Sequence, residues 1–223
     1  MKVSFVIPIY NHFPLINQLL IDIRDNCTPD EIIVVDDCSN DKDTLDGISW
    51  WENNFNVKLL RPLENLGFLK ASNYGISKAT GDIVCLISSD VRIEEDLAKV
   101  VRETLALNPE ALIGGVLYTQ DTGWNTFDGK VFGYLEGWLL CCTKSAWKDL
   151  GGFDERFCPS DMEDVDISTT AREKGYALIP LNSPKIRHLG GGTIKYGEER
   201  EKITRANKKK FEEKWVTSQR NLP

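Results

Sequence analysis

Apolar residues along the first ninety positions follow two different periods. Val3-Ser4-Phe5-Val6-Ile7-Pro8-Ile9, Glu31-Ile32-Ile33-Val34-Val35 and Val57-Lys58-Leu59-Leu60 are short runs of strand length. Between the first two, Leu15, Ile16, Leu19, Leu20 and Ile23 recur at helical spacing. They predict an amphipathic helix over Pro14 to Arg24, with proline in its first turn. Further helices are expected from Asp43 to Trp51 and from Leu69 to Ala79, the latter stopped by Thr80-Gly81. Ile83-Val84-Cys85-Leu86-Ile87 is apolar without interruption, which suits a central parallel strand covered on both faces. Three strand–loop–helix units ahead of such a strand predict an α/β fold, a mostly parallel central sheet flanked by helices in a Rossmann-like manner.

The pattern is less regular afterwards. A helix is expected over Asp96 to Leu107, strands over Ala111 to Leu117 and Gly137 to Cys142, a short helix over Lys144 to Leu150 and a last strand over Ala177 to Pro180. Gln120 to Lys130 is polar and Gly-rich and reads as a long loop, with Trp124 and Phe127 expected at the surface. It is either a surface excursion or, as long loops in compact domains often are, a binding element for an acceptor. Glu199 to Trp215 reads as a charged helix carrying Lys208-Lys209-Lys210, a solvated face with contact to anionic lipid headgroups as the alternative.

Composition narrows the class. A chain of 223 residues fits one domain with a sizeable core, and 41% hydrophobic with 27% charged content is that of an ordinary soluble globular protein. A net charge of -7 argues against a surface that coats nucleic acid. The six cysteines show no C-x-x-C spacing, Met1-Lys2-Val3-Ser4 opens no secretory signal, and no stretch is long enough to span a membrane. A cytoplasmic, reduced location is the expectation, with peripheral membrane association open.

Parallel strands would gather four loops at one edge of the sheet, carrying Tyr10-Asn11, Asp36-Asp37, Asn65 to Gly67, and Asp90. Ligands of open α/β sheets bind at that edge, so the position suits a nucleotide. Neither G-x-G-x-x-G nor the P-loop pattern follows the first strand, so phosphates must be handled otherwise, most simply by a metal. Asp90 is placed for that, although it could instead cap a helix starting near Glu94. Six acids fall from Asp154 to Asp166. Ser160 with Glu163 matches a capping box, which would explain Glu163 structurally. Residues three apart share a helix face, so Glu163 pairs with Asp166, while Asp164 lines up with Asp161 and Ser168. Capping cannot account for both faces. A carboxylate near a helix N-terminus is expected to stay ionised, as a general base must. His188 precedes Gly190-Gly191-Gly192; a lone histidine is more often structural, yet three glycines bring backbone close to something.

Together these residues resemble family 2 glycosyltransferases of the GT-A fold, over nearly the whole chain. Val6-Ile7-Pro8-Ile9-Tyr10-Asn11 is similar to that family's opening strand and loop, and Ile33 to Asp41 to its acidic second-strand ending. Asn65-Leu66-Gly67-Phe68 with the glycines and alanines after it, and Gly152-Phe153-Asp154-Glu155 followed by Glu163-Asp164-Val165-Asp166, complete the series. The resemblance implies one GT-A domain over 1–223, with a nucleotide-binding half (1–91), an acceptor and catalytic half (92–198) and a C-terminal helix and tail (199–223). It implies inverting transfer from a nucleotide-diphosphate sugar to a glycan, lipid-linked or other hydroxyl acceptor. Pro8, Tyr10, Asn11, Asp36, Asp37, Asn65, Gly67, Lys70, Ser89 and Asp90 would bind the donor. Asp90 and His188 would hold a divalent metal, Mn2+ or Mg2+. Asp164 would be the base, supported by Glu163 and Asp166. Ser88-Ser89-Asp90 departs from the family's usual pair of acids by supplying one. That departure keeps a binding module without catalysis as an alternative. A sugar nucleotidyltransferase is the other, although no Gly-rich basic loop for a triphosphate follows the first strand.

Overall fold

The computed structural model describes residues 1–190 and 197–217. Its elements, in order, are β1 (Val3–Ile9), α1 (Phe13–Asn26), β2 (Glu31–Asp36), α2 (Lys42–Asn54), β3 (Val57–Leu60), α3 (Phe68–Lys78), β4 (Ile83–Ile87), β5 (Val91–Ile93) and α4 (Leu97–Leu107). Then follow β6 (Ala111–Gly114), β7 (Leu117–Tyr118), β8 (Thr126–Phe127), β9 (Lys130–Val131), β10 (Tyr134–Leu135), β11 (Leu139–Thr143), α5 (Lys144–Leu150), α6 (Glu163–Glu173), β12 (Ala177–Pro180), β13 (Ile186–His188) and α7 (Glu198–Glu212). No helix among the described residues is long and apolar enough to cross a membrane.

The apolar run of β4 is fully buried because it serves two cores. Ile83, Cys85 and Ile87 face the layer of α1, α2 and α4, and Val84 and Leu86 face the layer of α3, α5 and α6. Burial of this kind is worth about 1.5–3 kcal/mol for each large aliphatic side chain. It makes β4 the axis of a seven-stranded sheet in the order β12-β6-β11-β4-β1-β2-β3. Pairing is parallel except where β11 runs antiparallel between β4 and β6. The carboxyl ends of β1, β2 and β4 therefore open on one edge, as expected.

Four local expectations fail, each for an identifiable reason. Asp90 caps no helix: Val91–Ile93 forms a short strand paired antiparallel with β13, and α4 starts later, capped by Asp96, which accepts from Lys99 N at 3.1 Å. The strand expected over Ala111 to Leu117 breaks after Gly114, because the Trp138 ring packs on Gly115, where a Cβ would come within 1.9 Å of it. The 120–130 segment contains the β8–β9 hairpin, and Phe127 is buried against Phe211 of α7, ring centroids 4.8 Å apart, not exposed. The lysine run is no solvated face either. Lys208 donates to Gly123 O and Lys210 to Arg156 O, and only Lys209 is exposed.

Candidate functional site

A cavity of about 370 Å3 opens at the carboxyl edge of β1 and β4. At one end is Asp37, which follows β2 and is 4% exposed. Its Oδ1 accepts from Leu66 N at 2.6 Å and its Oδ2 from Gly67 N at 2.8 Å, while Asn65 Nδ2 donates to its carbonyl at 2.8 Å. Hydrogen bonds to a charged group are worth about 1.5–3 kcal/mol each, so the Asn65–Gly67 loop is tied firmly to Asp37. Asp36 is buried behind it, held by Arg61 Nε at 2.8 Å and Ser39 N at 3.0 Å. Asn11, left-handed with φ 57°, accepts from Asn40 N at 2.9 Å and fixes the first loop to the second. Of the ten positions expected at the donor, Pro8, Tyr10, Asp37, Ser89 and Asp90 line the cavity. Asn11, Asp36, Asn65 and Gly67 stand behind it as supports. Lys70 is exposed on α3, beside Cys158 and away from the cavity wall.

Asp90 and His188 meet in the middle of the cavity. The antiparallel register of β5 and β13 sets His188 opposite Val91, and His188 Nε2 lies 3.2 Å from Asp90 Oδ1. Trp138 stacks on the imidazole with centroids 5.4 Å apart and planes 12° from parallel, which fixes its orientation. One carboxylate oxygen and one imidazole nitrogen form a donor set that suits Mn2+. Among the described residues no three His, Cys, Asp or Glu side chains cluster to hold a cation by themselves. The pair would supply two ligands to a divalent cation, and the rest of its shell would have to come from outside these side chains.

The opposite wall is acidic and of a different kind. Asp161 and Met162 are both left-handed (φ 71° and 75°), and α6 begins at Glu163. The expected capping box is not formed: Met162 is the cap residue, and Ser160 Oγ is buried with no partner among the described residues. Glu163 is 9% exposed, and its Oε2 also finds no partner. Burial first, and the charge of Asp164 second, push its carboxyl far above the usual range. Asp164 reaches the cavity but is walled in by protein. Burial raises its pKa strongly, against bonds from Val165 N at 2.8 Å and Gly137 N at 3.4 Å, with the charge of Glu136 adding to the rise. The expectation of a comfortably ionised carboxylate is therefore corrected, because desolvation outweighs the helix end. Gly137 packs closely here: a Cβ would stand 3.2 Å from Asp164 Cβ, so a side chain would have to push Asp164 by a few tenths of an ångström.

Asp166 does not line the cavity. It is buried on the other side of α6, bound by Lys214 Nζ at 2.8 Å and Trp215 Nε1 at 2.7 Å. It belongs to a set of contacts by which the C-terminal segment holds the acidic wall. Arg200 pairs with Asp161 at 2.9 Å, Thr204 Oγ1 donates to Asp161 at 2.5 Å, and Asn207 Nδ2 donates to the carbonyls of Phe157 and Ser160 at 2.6 and 2.8 Å. Arg200, Glu136, Trp138 and Tyr134 line the cavity and were not anticipated. The spacing of residues 200, 204, 207 and 211 marks one face of α7, a signal that could have flagged Arg200.

Comparison with known proteins gives these features a context. The poly(ribitol-phosphate) beta-N-acetylglucosaminyltransferase TarS of Staphylococcus aureus is 33% identical over 103 residues, 44% of this chain and 18% of that protein. The mannosyltransferase PcManGT from Pyrobaculum calidifontis, solved in complex with GDP-Man and Mn2+, superposes with a TM-score of 0.69 at 23% identity, covering 92% of this chain and 60% of that one. S. aureus TarS 1–349 in complex with UDP-GlcNAc gives 0.67 at 22% identity, covering 91% and 64%. The chain spans less than half the length of the curated relatives it matches. The fold is that of GT-A glycosyltransferases. The profile of Glycosyl transferase family 2 matches residues 4–157, so the chain belongs to that family.

Proposed function

We propose that the protein moves a sugar from a nucleoside-diphosphate donor to an acceptor hydroxyl with inversion, using Asp164 as the single base. The observation that carries this reading is the placement of groups lining one cavity along the strand order β2-β1-β4-β11: Asp37 after β2, Asp90 with His188 after β4, and Asp164 against Gly137 just ahead of β11. The solved relatives named above hold a guanosine- or uridine-diphosphate sugar, one of them with Mn2+. Asp37, with Asp36, Asn11, Asn65 and Gly67 supporting it and Pro8 and Tyr10 beside it, would seat the nucleoside. Ser89 and Asp90 would face the diphosphate, and Lys70 stands outside this set. Asp90 and His188 would hold a divalent cation, which when bound supplies charge neutralisation at the departing diphosphate.

The acceptor oxygen attacks the anomeric carbon, the bond to the diphosphate oxygen breaks, and the hydroxyl proton passes to Asp164. A carboxylate whose pKa is raised toward neutrality is a stronger base than an ordinary one. Glu163, pushed up by burial first and by the charge of Asp164 second, resists ionising beside the base. Asp166 acts from behind, anchoring α6 to Lys214 and Trp215.

The test is a transfer reaction with a nucleotide-sugar panel and Mn2+, the product anomer read by proton NMR. Inverted configuration and a rate that falls on acidification from about neutral pH are expected, because the ionised form of Asp164 is the active one. A retained configuration would overturn the single-base reading.

A further inference from the structure

Trp124 belongs to the cavity wall, yet neither the nucleotide end nor the base accounts for it. It is 45% exposed and lines the same cavity as Asp164. It is also built in. The neighbouring Asn125 is fully buried, its Nδ2 donating to the carbonyls of Gln120 and Phe132, both at 3.0 Å, and its Oδ1 accepting from Thr122 N at 3.0 Å and Oγ1 at 2.9 Å. Lys208 of α7 donates to Gly123 O at 2.6 Å and stands 5.0 Å from the indole centroid. A cation thus stands over the indole, and the ring still keeps exposed surface in the cavity. The loop is ordered before any ligand arrives, which lowers the entropic cost of binding.

The surroundings define the chemistry of that ligand. The same wall presents Glu136, Asp161 and Arg200, groups that exchange hydrogen bonds with hydroxyls. An alkyl chain would take these charged groups out of water and give them no hydrogen bonds in return, at a cost in desolvation. A pyranose ring satisfies both demands. Its C–H face carries slight positive charge and suits the electron-rich face of an indole, while its hydroxyls reach the charged rim. We propose that Trp124 is the stacking platform of an acceptor subsite and that the acceptor is a saccharide.

This inference rests on the transferase reading above, so the two are separated by experiment. Calorimetric titration of UDP, GDP and dTDP with Mn2+ reports the donor end alone. Transfer is then assayed with methyl glycosides and disaccharides of common hexoses, deoxyhexoses and N-acetylhexosamines, beside ribitol phosphate and a long-chain alcohol. A saccharide is expected to be accepted. Trp124→Ala should raise its KM about tenfold with donor affinity unchanged, and Trp124→Phe should restore most of the loss. The proposal is overturned by an unmoved KM in Trp124→Ala, by acceptance confined to ribitol phosphate or the alcohol, or by a donor-binding protein that uses no saccharide. If no nucleoside diphosphate binds, the donor reading fails instead. Saturation-transfer NMR with the same glycosides then decides the subsite. A glycoside signal that vanishes in Trp124→Ala supports it, and the lack of any such signal with the wild type overturns it.

Discussion

Asp37 and Glu163 are both carboxylates at element boundaries, both less than one-tenth exposed and both on the wall of one cavity, yet their surroundings are opposite. Both oxygens of Asp37 accept short bonds from backbone amides, and Asp36 beside it is held by Arg61 and Ser39. Among the described residues Glu163 Oε2 is buried with no partner, and its neighbour Asp164 accepts from the amides of Val165 and Gly137, the second bond long. The first end ties both oxygens of Asp37 to main-chain amides, which makes a rigid binding surface. The second keeps charge costly, which makes groups that exchange protons near neutrality. The supports differ as well. Asp37 is positioned by strand ends and main chain, whereas the acidic wall is held by side chains of α7 and the residues after it.

If that division is right, variants at the two ends should fail in different ways. Asp164→Asn should lower the transfer rate by about 10²–10⁴-fold while leaving donor affinity alone, the usual range for loss of a general base. Rate and affinity measured on the same preparation check this; a proportionate loss of both would make Asp164 part of the donor site. Between the ends, His188→Ala should weaken Mn2+ binding by about 10–100-fold. Overlaid metal titrations of variant and wild type would reduce His188 to its packing against Trp138. Asp37→Ala should weaken nucleoside-diphosphate binding about tenfold even without metal, since Leu66 N and Gly67 N lose their acceptor and the loop its anchor. Turnover at saturating donor should hold.

The donor end was the more legible of the two in the sequence. Its strands are unbroken apolar runs, its helices keep a clean period, and strand ends in parallel sheets have a fixed place, so Asp37 and Asp90 could be located before any coordinates. His188 reached Asp90 through a pairing of β5 with β13 that no local signal announced. The acidic wall was legible in its residues but not in their state. Ser160 and Glu163 have capping-box spacing, but two left-handed residues at 161 and 162 carry Ser160 out of reach. Helix-end logic favoured an ionised Asp164, and burial, which depends on tertiary packing, reversed it. Arg200 was signalled only by the face of α7 that it shares with residues 204, 207 and 211, and the partners of Arg200 and Trp215 lie some 40 to 50 positions away in the chain.

The smallest expected effect sharpens the comparison most directly, because it reads the cost of charge without any substrate. The carboxyl of Glu163 has a higher pKa in the folded protein than in the unfolded chain. Below the unfolded value, about 4.3, both states are protonated and the group is neutral to stability. Above it the unfolded chain releases the proton while the folded protein retains it, so stability falls as pH rises until the folded pKa is passed. Glu163→Gln keeps the shape and removes this term. The variant should therefore gain on the wild type with rising pH, by roughly a few °C in Tm at pH 8 and by much less at pH 5. Asp37→Asn should instead lower Tm at both pH values, because an amide oxygen is a weaker acceptor for the amides of Leu66 and Gly67 and the substituted NH2 cannot accept at all. Thermal unfolding of the three proteins at both pH values is the measurement. Equal gains for Glu163→Gln at pH 5 and pH 8 would mean that its buried charge is not what the fold resists.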